Sequence, residues 1–223
     1  MKYDLAIFDL DGTILDTLDD LRNAVNFGLS EMGYPLRTRE QVRKDIGNGV
    51  SKLIERSVPR ETSKEDYEKC LWEFKKSYIQ NYDVNTKAYK GCFELVKKLK
   101  DEGYIVTVAT NKLIDIAKML LEHHYPGLFT YIQGDAEGVK KKPDRNMIDN
   151  IVSHYNVDRS EVLYIGDTNV DEETALNSEV DYALVTYGYR TIEEVKNSCR
   201  CTNLLDTPED IYNFIKSNRV SCR

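Results

Sequence analysis

The sequence predicts an α/β fold: a mostly parallel sheet flanked by helices, interrupted after its first strand by an all-helical domain. Three observations predict it. The run Leu5–Phe8 is apolar and β-prone, and it stops at two acids, Asp9 and Asp11, with Gly12 directly after them. Residues 17–84 carry helical periodicity without a strand signal, so they cannot continue the sheet that the first strand begins. From Lys90 onward helices and strands alternate, which implies parallel pairing with helices on both faces. The expected domains are therefore 1–16 with 85–223 for the α/β core and 17–84 for the helical insertion.

Side chains alternate along a strand, so Asp9 and Asp11 leave its carboxyl end on the same side if the extended geometry persists. Two carboxylates that close repel, and a shared proton, a nearby cation or a bound metal must offset the repulsion. Hard oxygen ligands favour Mg²⁺ over Zn²⁺. Gly12 lets the chain turn sharply, and Thr13 adds a hydroxyl and a backbone N–H. By itself, a strand ending in an acidic turn explains the same residues.

In the insertion, Leu18, Leu21, Val25, Leu29 and Met32 recur at spacings of three and four, a helix over Asp16–Met32 that Gly33-Tyr34-Pro35 ends. A second helix starts near Thr38. Gly47-Asn48-Gly49 is a turn opening a third, Ser51–Ser57, whose N-terminus can present N–H groups to an anion. Beyond Pro59, Tyr67, Leu71, Phe74 and Tyr78 mark a fourth over Glu65–Tyr82, and Trp72, Phe74, Tyr78 and Tyr82 are expected to form the core of this domain.

In the second half, the expected order is helix Cys92–Glu102, strand Tyr104–Ala109, helix Leu113–His123, strand Tyr131–Gln133, helix Asp144–Tyr155, strand Val162–Ile165, helix Val170–Leu176 and strand Tyr182–Thr186. Open α/β sheets bind ligands at the carboxyl ends of their strands. Three further stretches fall there. Thr110-Asn111-Lys112 offers a hydroxyl at a strand end and donors at a helix start, suited to a phosphoryl oxygen or to helix capping. In Lys140-Lys141-Lys142-Pro143, the first two lysines read as solvated, while Pro143 suits a first helical turn and would hold Lys142 at the helix entrance. Gly166-Asp167 through Asp171 is either an acidic helix start or a pair of metal-binding acids.

Taken in order, DLDGTILDT from Asp9, Thr110, Lys142-Pro143 and Gly166-Asp167-x-x-x-Asp171 resemble the four motifs of the haloacid dehalogenase (HAD) superfamily. The resemblance covers essentially the whole chain. Gly47-Asn48-Gly49 and Tyr187-Gly188-Tyr189-Arg190 are similar to its phosphoglycolate phosphatase branch; Asn177-Ser178-Glu179, and Arg145 where a proline is common, depart from it. It implies a HAD-like Rossmannoid core with an inserted helical cap acting as a lid. It further implies Asp9 as nucleophile, Asp11 as general acid/base, Thr110, Asn111 and Lys142 as phosphate-binding, and Mg²⁺ held by Asp9, the Asp11 carbonyl, Asp167 and, directly or one layer out, Asp171. Asn48, Lys52 and Arg22 are the cap candidates for substrate contact, and Arg22 reads equally as a solvated helix charge.

The activity this resemblance implies is hydrolysis of a small, phosphoglycolate-like phosphate monoester through an aspartyl-phosphate. A pyrophosphatase or a β-phosphoglucomutase-like phosphotransferase is the alternative, and a non-catalytic phosphate-ligand binding protein is the alternative of another class. Asp11 argues against a dehalogenase, and Thr13 favours hydrolysis over mutase activity, because mutases of this group often carry Val there.

Composition narrows the partners. A net charge of −7 disfavours nucleic acid and anionic membranes, so a small phosphorylated metabolite must find a local positive site. Acids interrupt the N-terminal apolar run before it could form a signal segment or a membrane span, and the expected location is the cytoplasm, as monomer or homodimer. The five cysteines, at 70, 92, 199, 201 and 222, form no paired framework; reduced thiols are expected, and Cys199-x-Cys201 lacks the companions of a zinc site.

Overall fold

The computed structural model describes residues 2–217, and the chain divides into two compact units. One joins the residues up to Leu15 to those from Ala88 onward; the other is Asp16–Lys87. In chain order the elements are β1 (Leu5–Phe8), β2 (Leu15–Asp16), α1 (Leu18–Glu31), α2 (Arg39–Asp45), α3 (Val50–Ser57), α4 (Lys64–Asn81) and β3 (Lys87–Ala88). There follow α5 (Cys92–Asp101), β4 (Ile105–Leu113), α6 (Ile114–His124), β5 (Ile132–Asp135), α7 (Asn146–Tyr155), β6 (Val162–Gly166), α8 (Asn169–Ser178), β7 (Asp181–Val185), α9 (Ile192–Ser198), β8 (Leu204–Leu205) and α10 (Pro208–Ser217). β2 and β3 pair as a short ribbon where the chain passes between the units.

The main sheet has the order β5-β4-β1-β6-β7-β8, and every pairing in it is parallel. β1 lies inside and is buried along its whole length, which explains why it reads as a continuous apolar run rather than an alternation. Phe8 stands opposite both Val108 and Ile165. That register sets the carboxyl ends of β1 and β6 beside Val108, within β4. Below these ends, Met147, Ile148 and Ile151 of α7 pack with Leu5, Ile7, Val162 and Tyr164, each large side chain contributing about 2 kcal/mol of burial.

Two element boundaries, one of a strand and one of a helix, differ from the sequence expectation, and both matter at the site. β4 runs on to Leu113 rather than ending at Ala109, so Thr110, Asn111 and Lys112 belong to a strand and not to a helix start. α7 begins at Asn146, so Pro143 precedes the helix instead of opening it. α9 and β8 are too short for a clear period, whereas α10, as long as α7, is missing from the sequence expectation although it buries Ile211 and Ile215 four residues apart. A Thr191–Glu194 capping box was nevertheless a readable sign of α9.

In the helical unit, α1 buries Leu18, Leu21, Val25 and Leu29, the anticipated stripe. Thr38 and Gln41 form a capping box that starts α2. α4 buries Cys70, Phe74 and Tyr78, with the last two rings stacked at 5.4 Å. Trp72 is a correction: it is 58% exposed, two residues off that stripe and so on the opposite face, beneath the Lys76 ammonium. Tyr82, expected in the core, is only half-buried. The α1–α4 contact needs Gly28, because a Cβ there would meet the Cys70 carbonyl oxygen at 2.8 Å.

Asp20 on α1 is buried and accepts hydrogen bonds from the Asn85 and Thr86 N–H groups, the Asn85 amide and the Thr86 hydroxyl at 2.8–3.0 Å. It fastens the returning chain to α1. Asp20→Ala strands these donors and is expected to cost about 3 kcal/mol in urea unfolding of the helical unit; a loss below 1 kcal/mol would contradict this clamp.

Cys70, Cys92, Cys199 and Cys201 are free thiols, and Cys222 lies outside the described residues. No described helix is long and apolar enough to cross a membrane.

Candidate active site

Asp9 follows β1 directly, and its N–H donates to the Ile165 carbonyl at 2.8 Å, so the strand pairing itself carries the carboxylate to the sheet's edge. Gly12 then turns the chain with φ +87°, and a Cβ there would lie 2.8 Å from Asp167 Cγ. Gly188 on the loop after β7 is equally constrained, since its Cβ would lie 2.6 Å from Asp167 Oδ2. Glycines at these two positions leave room for the acid between them.

Lys142 is buried at the centre of the site. Its Nζ lies 2.8 Å from Asp9 Oδ1 and 2.8 Å from Asp171 Oδ1, and it donates to the Tyr164 hydroxyl at 2.9 Å. The lysine is not held by a helix entrance. Asn111 clamps its backbone instead, accepting the Lys142 N–H on Oδ1 at 2.8 Å and donating from Nδ2 to the Lys142 carbonyl at 3.0 Å. The amide expected to bind phosphate is thus engaged in placing the lysine. Thr110 is buried on β4, and its hydroxyl oxygen accepts the Lys112 N–H at 3.3 Å, which leaves its own O–H to donate.

Asp171 receives five donors. Lys142 Nζ and the Tyr164 hydroxyl reach Oδ1, while the Asp167 N–H, the Thr168 N–H and the Thr168 hydroxyl reach Oδ2 at 2.8–3.2 Å. Burial alone would raise its carboxyl, but Lys142 and these donors outweigh it and hold Asp171 below the ordinary range. Asp167 is the opposite case. Burial, then Asp171 and Asp9, push it well above the ordinary range; its Oδ2 accepts the Tyr189 N–H at 2.7 Å, while its Oδ1 is buried with no hydrogen-bond partner. Burial likewise lifts Asp9 to about 7 against the pull of Lys142, and its Oδ1 has that ammonium nearby but no hydrogen bond aligned on it.

Carboxylate oxygens of Asp9, Asp167 and Asp171 lie within 4.8 Å of one another. An all-oxygen, buried set with more negative charge than Lys142 balances, and with an orphaned oxygen on Asp167, fits a hard divalent cation. Asp171, saturated by its donors, orients Lys142 and the Asp167–Thr168 backbone.

Lys112 is the residue that sequence reasoning passed over. It is buried, and its Nζ donates to Asp11 Oδ1 at 2.8 Å. The sequence offers it only as one of the donors at a helix start, with no role of its own; on a strand that continues past Thr110 it turns inward, and strand length was the missing signal. Tyr164, inside an apolar run, gave no sign of its hydroxyl's role. Asn48 and Lys52 lie at the start of α3, where Asn48 Oδ1 accepts from Arg56 at 2.8 Å and Lys52 pairs with Glu55 at 2.7 Å, each bond made inside the helical unit. Arg22 faces Asp19 in the same unit.

A phosphoglycolate phosphatase from Aquifex aeolicus is 31% identical over 217 residues, 97% of this chain and 98% of its own. One from Aliivibrio fischeri is 29% identical over 201 residues, 87% and 88% of the two chains. Among solved structures, a Lactobacillus delbrueckii subsp. bulgaricus protein assigned as a phosphoglycolate phosphatase matches with a TM-score of 0.91 at 30% identity, covering 96% of this chain and 99% of that one. The model of haloacid dehalogenase-like hydrolases matches residues 6–185, from β1 through β7 and across every strand end that supplies the site. This chain therefore belongs to the haloacid dehalogenase-like hydrolase family.

Proposed function

We propose that the protein is a Mg²⁺-dependent phosphatase that hydrolyses a small phosphate monoester of the phosphoglycolate type through an aspartyl-phosphate on Asp9. The observation that carries this reading is the carboxyl end of β1, where Asp9 faces the Lys142 ammonium at 2.8 Å and Asp11, two residues on, is paired with a second buried lysine. Relatives about 30% identical across nearly the whole chain support the substrate class.

Asp9 attacks phosphorus as the ester P–O bond breaks, and Asp11 gives its proton to the departing alkoxide. Asp11 then takes a proton from the water that attacks the phosphoryl group, and Asp9 is regenerated as phosphate leaves. Lys142 offsets charge on Asp9 and on the phosphoryl oxygens, and the Thr110 hydroxyl donates to one of them. Asn111 and Asp171 hold Lys142 in place. Asp9, Asp167 and the Asp11 carbonyl would hold Mg²⁺, which when bound supplies charge neutralisation for the approach of an anionic ester.

Phosphate release at pH 7 across phosphoglycolate, pyrophosphate, sugar phosphates and nucleotides tests this. Phosphoglycolate is expected to lead, chelation to abolish release, and Asp167→Asn to raise the Mg²⁺ requirement by about 100-fold. A folded, Mg²⁺-supplied protein that releases phosphate from no member is not a phosphatase.

A further inference from the structure

We infer that Lys112 is a specificity residue that binds a carboxylate on the leaving group, so that the site selects esters of 2-hydroxy acids over neutral esters of the same size. This rests on the phosphatase reading above and names what that site recognises beyond phosphate.

Lys142 is committed to Asp9 and Asp171, on the phosphoryl side. Lys112 is a second buried ammonium at the same strand ends, and its Nζ lies 2.8 Å from Asp11 Oδ1. Asp11 is the group that hands its proton to the ester oxygen, so that oxygen sits within a hydrogen bond of the Asp11 carboxyl during the reaction. In a phosphorylated 2-hydroxy acid, one carbon separates the ester oxygen from the carboxylate, which places a carboxylate oxygen about 3 Å away from it, given bonds of ~1.5 Å. A carboxylate so placed falls within ion-pair reach of an ammonium already in contact with Asp11. The resting structure shows the chemistry: the atom that Lys112 Nζ meets is a carboxylate oxygen. Asp144 and Asp149, before and on α7, pair elsewhere, Asp144 with Lys140 and Asp149 with Arg145 and Arg159. A buried ammonium on a strand is also a demanding selector, because a neutral group in the carboxylate's place forgoes the charge-assisted bond that the carboxylate makes.

The test compares kcat/KM for 2-phosphoglycolate and for 2-hydroxyethyl phosphate, in which a neutral CH₂OH replaces the carboxylate. Wild type is expected to prefer phosphoglycolate by about 30-fold, the worth of one charge-assisted hydrogen bond. Lys112→Met weakens both reactions, since it also takes Asp11's partner away, but it should collapse the preference to within about threefold. Equal losses on both esters would assign Lys112 to Asp11 alone and overturn the inference. If Lys112→Met does not fold, Lys112→Gln and inhibition of the wild type by free glycolate, set against ethylene glycol, read the same contact; glycolate no better than the diol overturns it. Hydrolysis of both esters by wild type without preference sinks the inference and leaves the phosphatase reading standing, whereas hydrolysis of neither ester, nor of any other, sinks both.

Discussion

Asp9→Asn is expected to lower phosphate release by on the order of 10⁴-fold or more, because the amide cannot form the phospho-enzyme and the remaining groups act only by binding and polarisation. Asp9 directly follows the central strand β1, whose own residues are all apolar and buried, and an isosteric amide leaves that packing intact. The same variant carries a stability signature that separates loss of chemistry from loss of fold. Burial holds the Asp9 carboxyl at about 7, above the ordinary value near 4. The folded state therefore keeps a proton that the unfolded chain releases earlier. Stability falls as pH rises from about 4 to about 7, and above that window the metal-free protein bears the full cost of a buried, crowded carboxylate. Asparagine does not ionise. In the absence of metal at pH 8, Asp9→Asn should melt several degrees above wild type, a gain of about 1–3 kcal/mol, and the gain should vanish near pH 4. A variant that melts below wild type at pH 8 would falsify this account of Asp9, and one that retains turnover would remove Asp9 as nucleophile.

Lys142→Met is expected to strike stability and activity together. Its ammonium lies between Asp9 and Asp171, and both raise its pKa above the ordinary lysine value even though burial opposes this. Without it, two buried carboxylates face each other with no cation between them, a loss of about 3–5 kcal/mol at neutral pH. Phosphate release should fall on the order of 10³-fold, since the charge that admits an anionic ester to Asp9 is gone. Lys142→Arg is not expected to restore either property: Tyr164 and Asp171 enclose a compact ammonium, and a planar fork does not fit that point. Urea unfolding with single-turnover phosphate release checks both arms. Stability within 1 kcal/mol of wild type would mean that the three carboxyl groups share protons instead of depending on the lysine.

These two residues also divide what could be read locally from what could not. Asp9 is legible because it ends an apolar run and is followed by Asp11 and Gly12, all within a few residues. Lys142 is legible as a residue but not as a placement. Pro143 pointed to a helix entrance, yet α7 starts three residues later and the lysine is positioned by Asn111, thirty-one residues upstream. Lys112 was missed for a related reason. β4 continues through Thr110 and Asn111, and strand pairing with β5 rather than local propensity decides how far it continues.

Local sequence by itself determined the α/β alternation, the helical character of residues 17–84, the buried central strand and the identity of the acids at strand ends, because each is written in side-chain periodicity or in a short spacing. Only the tertiary structure decided that Phe8, Val108 and Ile165 stand level, and with that register came the contacts Lys142–Asp9, Lys142–Asp171 and Lys112–Asp11. Parallel strands are joined by long crossovers, so their alignment is set by helix packing across the sheet and leaves no mark in any short window of sequence.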